Sequence, residues 1–153
     1  MTIMNYKRTI LILSALTVFS PLVFGQIGAK KPIPAVNVTD PVKSTPAYAE
    51  VLLRKTELES DVESFLVSYT EDYPKLKEAR FELDLLKKDL AKLLAQSDTS
   101  KLTLALGKLM VRKNELETDL WALRNQYGND HPDVKRAQRK VLSFQNAIKE
   151  ILP

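Results

Sequence analysis

One cluster of side chains could by its composition bind a metal, and it lies at a short break in the second half of the chain. Asp130, His131 and Asp133 stand almost together, and His131 is the sole histidine among 153 residues. A zinc site needs three or four ligands, whereas polar residues just before a helix typically cap its free N–H groups. Cysteine is absent, which excludes a disulfide framework, a thiolate metal site and a cysteine nucleophile. We therefore predict capping here, with no metal and no cofactor.

Two carboxylate pairs have a spacing that an acid and a base of a glycosidase could use. Glu57 and Asp61, and again Glu115 and Asp119, lie four residues apart, which places both members on one face of a helix. Charged residues at this spacing usually form a solvated helix face. No Ser-His-Asp set or glycine-rich phosphate loop accompanies them. We therefore predict that the protein is not an enzyme.

A basic patch near the C-terminus is the remaining candidate for binding. It consists of Lys135, Arg136, Arg139 and Lys140. An acidic polysaccharide, an anionic lipid surface or the acidic first half of this chain would suit it. Nucleic acid would require a cytoplasmic location, and the N-terminus argues against that location.

The N-terminus has the three parts of a secretory signal in residues 1–25. Lys7 and Arg8 precede an apolar stretch, and the small residue Gly25 offers a cleavage site. We expect export to the periplasm or the extracellular space. An uncleaved inner-membrane anchor is the alternative, because residues 9–27 approach the ~20 residues that span a bilayer. Residues 26–46 mix Pro, Lys, Val and Thr without periodicity and predict a flexible basic linker.

Beyond the linker, apolar residues recur at alternating spacings of three and four, as in supercoiled helices. A helix with such a stripe must bury it against partner helices, within the chain or between chains. We expect this seam to carry assembly. Its residues are Leu76, Leu83, Leu86, Leu90, Leu116, Leu120, Leu123, Val134, Val141, Phe144 and Ile148.

The chain contains an internal repeat at an offset of 58 residues. Residues 51–94 match 109–152 without a gap, with twelve identities in 44 positions. The shared R-K-x-E-L-E-x-D and Y-x-x-D-x-P blocks do not follow from periodicity, so we infer a duplication. Charge divides unevenly: residues 48–98 carry 8 basic and 12 acidic side chains, and residues 99–153 carry 10 and 6. The halves should attract one another, within a bundle or head to tail between chains.

Each copy is interrupted once, by a turn motif that shares Tyr, Asp and Pro. In the second turn we expect Gly128 to adopt the left-handed conformation that ends a helix. Asn129 or Asp130 would then cap the next helix, which Pro132 opens. The first turn lacks the glycine, so a kinked continuous helix is the alternative there. The turn residues are Tyr69, Asp72, Pro74, Tyr127, Gly128, Asp130, His131 and Pro132.

These features predict an all-α fold of tandem duplicated helical hairpins, arranged as an antiparallel coiled coil or an up-down four-helix bundle. The first hairpin repeat is expected over residues 47–96 and the second over 97–153. The four predicted helices span residues 47–69, 74–95, 100–127 and 132–151.

The Y-G-x-x-H-P-x-V block resembles the coiled-coil segment of Wzz-like polysaccharide chain-length determinants and exopolysaccharide transport proteins. Tyr127, Gly128, His131, Pro132 and Val134 carry the resemblance. It covers about 40 residues and implies a helical hairpin in the cell envelope, without catalytic or sugar-binding residues. The family's second membrane span, N-terminal domain and kinase domain have no match.

The function expected from these features is that of a non-catalytic exported coiled-coil scaffold or adaptor of the bacterial cell envelope, accessory to polysaccharide export. It would act with itself, as a homo-oligomer, or with another envelope protein, and its two turns would present loops to the partner. The alternative is a periplasmic binding module that uses its basic last helix to hold an acidic polysaccharide or a lipid surface.

Overall fold

The computed structural model describes residues 40–153, so the predicted signal and most of the linker lie outside the described residues. Within that range the chain is helical and contains no strand, which confirms the all-α prediction. The helices are α1 Pro46–Ser68, α2 Pro74–Leu94, α3 Leu104–Gln126 and α4 Pro132–Ile151, with short 3₁₀ helices at Pro41–Ser44 and Thr99–Lys101.

None of the helices in residues 40–153 is both long and apolar enough to cross a bilayer.

The two hairpins are stacked on each other through their first helices. Short turns fold α2 back along α1 and α4 back along α3, while α3 also packs against α1 and α2. The starts of α1 and α3 lie side by side: Ala47 N donates to the carbonyl of Leu102 at 3.2 Å. α4 packs chiefly on α3 and does not return to α1. The arrangement is therefore that of a short helical-repeat stack, in which each unit is covered by its neighbour.

Two apolar clusters hold this stack together. The larger cluster lies between α1, α2 and α3 and includes Val51, Leu86 and Leu106, each fully buried. The smaller one joins α3 to α4 through Leu120 and Val141. Because the larger cluster draws on both hairpins, neither hairpin buries its apolar stripe alone.

The duplication begins earlier in the structure than in the aligned sequence. The Asp40 carboxylate accepts from Val42 N at 3.1 Å, and Asp98, at the equivalent position, accepts from Ser100 N at 3.0 Å. Both aspartates open a 3₁₀ helix. The repeat therefore starts at Asp40 and Asp98. Residues 40–46, which we expected to be flexible linker, are folded.

Equivalent threonines start the first helix of each hairpin. Thr45 Oγ1 accepts from Tyr48 N at 3.4 Å, and Thr103 Oγ1 accepts from Leu106 N at 3.3 Å. The predicted start of the third helix at residue 100 was wrong, because the 3₁₀ helix and this cap delay it to Leu104.

Replacing Thr103 with alanine is expected to cost about 1 kcal/mol of unfolding free energy, because loss of the cap leaves a helix N–H without its partner. Urea denaturation followed by circular dichroism measures the loss. Thr99→Ala, an exposed threonine in the same connection, is the control and should change the midpoint little. Equal midpoints for the two variants would contradict the capping role.

Candidate functional site

Both predicted turns are full reversals with the same backbone. Tyr69 ends α1 at φ −132°, ψ 158°, and Tyr127 ends α3 at φ −128°, ψ 157°. The kinked alternative for the first turn was therefore wrong. Gly128 does not adopt the left-handed conformation that we expected. An extended tyrosine ends each helix, so the glycine is not required for the reversal.

A stacked ring pair spans each turn at equivalent positions. Tyr69 stacks on Tyr73 with 4.0 Å between ring centroids, and Tyr127 stacks on His131 at 4.3 Å. Tyr73 was missing from the predicted motif. The offset of 58 residues aligns it with His131, and the shared planar side chain was the signal that could have identified it.

The polar residues of the turns are engaged locally. Asp72 pairs with Lys77 at 2.8 Å, and Asp130 pairs with Lys135 at 3.1 Å. The hydrogen bond from Lys77 lowers the pKa of the Asp72 carboxyl. Pro74 and Pro132 each open the following helix, as expected from a residue without an N–H. The turn motif therefore builds the reversals.

The helix after the second turn, α4, is capped by His131 and not by Asn129 or Asp130. His131 Nδ1 accepts from Asp133 N at 3.3 Å, whereas Asp130 is fully exposed and paired with Lys135. The prediction that Asn129 or Asp130 caps α4 was wrong, since the N-cap position falls on His131. In the described part of the chain, no group of three or more His, Asp or Glu side chains could hold a metal.

The predicted seam is used inside the chain. Eight of its members are buried, and Leu123, Phe144 and Ile148 are partly buried against the two clusters. Their side chains hold the hairpins together, so most of the seam is already used within the chain. The buried members are Leu76, Leu83, Leu86, Leu90, Leu116, Leu120, Val134 and Val141.

The repeated R-K-x-E-L-E-x-D block forms matching ion pairs on α1 and α3. Arg54 pairs with Glu57 at 3.6 Å, and Arg112 pairs with Glu115 at 2.7 Å. These carboxylates lie on helix surfaces beside arginines. Arg54 also donates from Nε to Glu82 on α2 at 2.8 Å, and this hydrogen bond raises the pKa of the guanidinium.

A buried charge cluster joins the two hairpins where α3 crosses α2. Asp89 on α2 accepts from Lys113 Nζ at 2.8 Å and from Asn114 Nδ2 at 3.0 Å. Asp89 is 1% exposed and Asn114 is fully buried. Lys92 closes the cluster at the surface, 2.9 Å from the other carboxylate oxygen. The carboxylate is thus satisfied by three donors, two of them on the opposite hairpin. No pattern along α2 distinguished Asp89 from the exposed charges beside it.

A groove of about 470 Å³ lies between α2 and α4, with α3 as its floor. Apolar side chains from all three helices form its inner surface, and lysines from α2 and α4 form its rim. The Asp89–Lys113 pair lies on its wall. Its lining includes Leu85, Met110, Ile148 and Leu152 inside, and Lys88, Lys92 and Lys149 at the rim.

The groove carries a net positive charge, because four lysines and two carboxylates line it. Glu117 accepts from Gln145 Nε2 at 2.8 Å, and Asp89 has the donors described above. Among the described residues, no carboxylate lies within 4.0 Å of the Lys88 or Lys149 ammonium group. The groove therefore combines an apolar floor with uncompensated cations.

The predicted basic patch divides into engaged and free side chains. Lys135 pairs with Asp130, and Arg136 pairs with Asp133. Within residues 40–153, Arg139 and Lys140 have no carboxylate within 4.0 Å, and both are exposed. Two of the four predicted anion contacts are thus available for a ligand.

No protein-family model matches the chain, and neither a curated protein nor a solved structure is significantly similar to it.

Proposed function

We propose that the protein is an exported, non-catalytic scaffold or adaptor of the bacterial cell envelope that holds an acidic, amphipathic segment of another envelope protein. The groove between α2 and α4 is the observation that carries this proposal. Its apolar floor suits the apolar face of a helix, and Lys88 and Lys149 suit carboxylates along that helix. Export rests on the signal-like residues 1–25, and a role accessory to polysaccharide export rests on the turn resemblance.

The groove has the features that recognition of an amphipathic helix requires. Leu85 and Met110 contribute floor from α2 and α3, and Ile148 contributes floor from α4. The rim lysines stand on both sides of that floor, so a bound helix could present one apolar stripe and two acidic edges. Burial of the stripe would supply most of the affinity, while the lysines would select against basic segments.

Site-specific crosslinking in the producing cells tests the groove. A photo-crosslinking residue at position 88 is expected to capture one partner segment, rich in Asp and Glu and with helical apolar spacing, identified by mass spectrometry. The same residue at position 87 is the matched control, because Lys87 neighbours Lys88 but does not line the groove. Lys149→Glu should reduce capture at position 88, since it places a negative charge opposite the acidic segment.

Equal capture at positions 87 and 88 would contradict the groove as a binding site. A captured segment without net negative charge would contradict the proposed recognition. The gene neighbourhood is a separate check on the polysaccharide role, which predicts adjacent genes for polysaccharide export.

The free cations of α4 support a second candidate, a binding module for an acidic polysaccharide or an anionic lipid surface. Arg139 and Lys140 are exposed, and α4 carries 5 basic and 2 acidic residues. Co-sedimentation with alginate at rising salt concentration, with neutral dextran as control, tests this candidate. We expect salt-sensitive binding that Arg139→Ala with Lys140→Ala abolishes. Binding that survives the double substitution would contradict it.

A further inference from the structure

The face by which α3 covers the first hairpin has an exposed counterpart on α1. Gly107, Met110 and Asn114 are buried where α3 meets α1 and α2. The positions 58 residues earlier are Ala49, Leu52 and Thr56, and all three are exposed. The repeat thus contains this helix face twice. On α3 the first hairpin covers it, and on α1 it is exposed to solvent.

The two faces match in chemical type at five positions. A small residue, a large apolar residue, a second aliphatic residue, a short polar residue and a hydroxyl residue follow in the same order. Leu52 and Leu53 on α1 are 39% and 58% exposed. The pairs, α1 first, are Ala49 with Gly107, Leu52 with Met110, Leu53 with Val111, Thr56 with Asn114, and Ser60 with Thr118.

The surface that would receive this face is the outer side of the second hairpin. Inside the chain, Trp121 on α3 stacks on Phe81 on α2, with 5.1 Å between ring centroids. The equivalents of these two residues are Glu63 on α1 and Arg139 on α4, both exposed. Where the two hairpins of one chain meet through Trp121 and Phe81, a contact between two chains would therefore have the opposite charges of Glu63 and Arg139.

An open groove marks the same surface. Within the chain, Asp61 on α1 and Glu82 on α2 line the groove over which α3 lies. Their equivalents, Asp119 and Lys140, line a groove of about 550 Å³ together with Arg136, and Lys75 and Glu78 of α2 also border it. At this point the second hairpin has the basic Lys140 where the first has the acidic Glu82.

The net charges of the two outermost helices are opposite. α1 carries 2 basic and 5 acidic residues, a balance of −3, and α4 carries 5 basic and 2 acidic residues, a balance of +3. The two helices do not pack against one another within the chain. A head-to-tail contact would bring these opposite charges together. A contact between the same ends of two copies would instead bring like charges together, which repel.

We propose that a second copy of this chain docks the exposed face of its α1 on α3 and α4 of the first, repeating the stacking of the two hairpins. The contact is heterologous, so addition of further copies forms a ring or a filament. It uses the opposite side of α4 from the partner groove, and it does not depend on the proposed function.

Three further positions differ from the internal interface. Ala49 adds a methyl group where Gly107 lies against backbone, so α1 would sit slightly farther from α3 than the internal contact does. Ala147 replaces Asp89, and Thr56 replaces Asn114. Lys55, the equivalent of Lys113, would then lie near Ala147 and not near a carboxylate, so the buried ion pair within the chain has no counterpart between copies.

Charge reversal tests the contact. Sedimentation equilibrium of the purified protein should show concentration-dependent oligomers. Glu63→Arg or Arg139→Glu alone should weaken self-association by about tenfold or more, because like charges then face each other. The double variant should restore it. Leu53→Glu should abolish association, whereas Leu142→Glu should not, because Leu142 is equivalent to Asp84, which stays 68% exposed beside the internal interface. A monomer at all concentrations, or equal effects of the two leucine variants, would overturn the proposal.

Disulfide trapping separates this geometry from a symmetric dimer, and the natural chain offers no competing cysteine. A mixture of Glu63→Cys and Arg139→Cys proteins should form mixed disulfide dimers on mild oxidation. Dimers of Glu63→Cys with itself as the main product would overturn the head-to-tail arrangement. Lys149→Glu should leave trapping unchanged while it reduces partner capture at position 88, so the failure of one proposal is distinguishable from the failure of the other.

Discussion

Replacing Asp89 with alanine is expected to destabilise the protein by about 3–5 kcal/mol, because the buried Lys113 ammonium loses its hydrogen-bonded carboxylate and keeps only Glu117, 4.0 Å away. Asp89 is 1% exposed, and two of its three donors come from the opposite hairpin. Urea denaturation followed by circular dichroism measures the change. The loss should fall mainly on the contact between hairpins, since α2 itself keeps its helical hydrogen bonds.

Two further variants establish the cause of that loss. Asp84→Ala on the same helix removes a carboxylate that is 68% exposed and lies 3.5 Å from Lys87. Its effect should be small, as for other surface pairs. Asp89→Leu combined with Lys113→Met should recover part of the stability, because apolar residues can replace a buried pair at little cost, while the buried Asn114 Nδ2 loses its acceptor. If the double variant were as unstable as Asp89→Ala, the unpaired charge would not be the cause.

Replacing Gly107 with leucine is expected to cost about 2–3 kcal/mol, because the added side chain would force α3 away from α1. A Cβ atom at this position would lie 2.8 Å from the Glu50 Cβ and 3.0 Å from the backbone of Ala47. Backbone cannot move aside as a flexible side chain can. The better helix propensity of leucine offsets only up to about 1 kcal/mol of this cost.

Ala91→Leu is the matched control, since Ala91 is an exposed position inside α2. It should be nearly neutral. Thermal unfolding should therefore separate the two leucine variants clearly. If Gly107→Leu were as stable as the control, the close approach of α1 and α3 would be wrong, and with it the template for head-to-tail docking.

The helix ends and turns could be largely predicted from the sequence, because they depend on neighbours along the chain. Pro74 and Pro132 were correctly placed at helix starts, and both breaks were correctly located. The predicted capping residues were wrong where several neighbouring polar side chains could have capped the same helix. His131 caps α4 because the turn backbone places its ring, and only its ring, beside the free N–H of Asp133.

The candidate sites were harder to predict, since they depend on which charges find partners. Lys135 and Arg139 looked alike in the sequence, yet Lys135 is paired at the turn and Arg139 is free. The groove was not predicted at all. It exists because α4 packs on α3 beside α2 instead of closing a bundle with α1.

The sequence by itself determined the helical hairpins, their duplication and the opposite charge of the two halves, because apolar spacing, turn residues and charge counts are properties of short segments. Only the tertiary structure decided which hairpin faces meet. That choice depends on the close approach permitted by Gly107 and on the burial of Asp89 with Lys113. These contacts join residues far apart in the chain. The same packing leaves the α1 face open and makes the groove between α2 and α4.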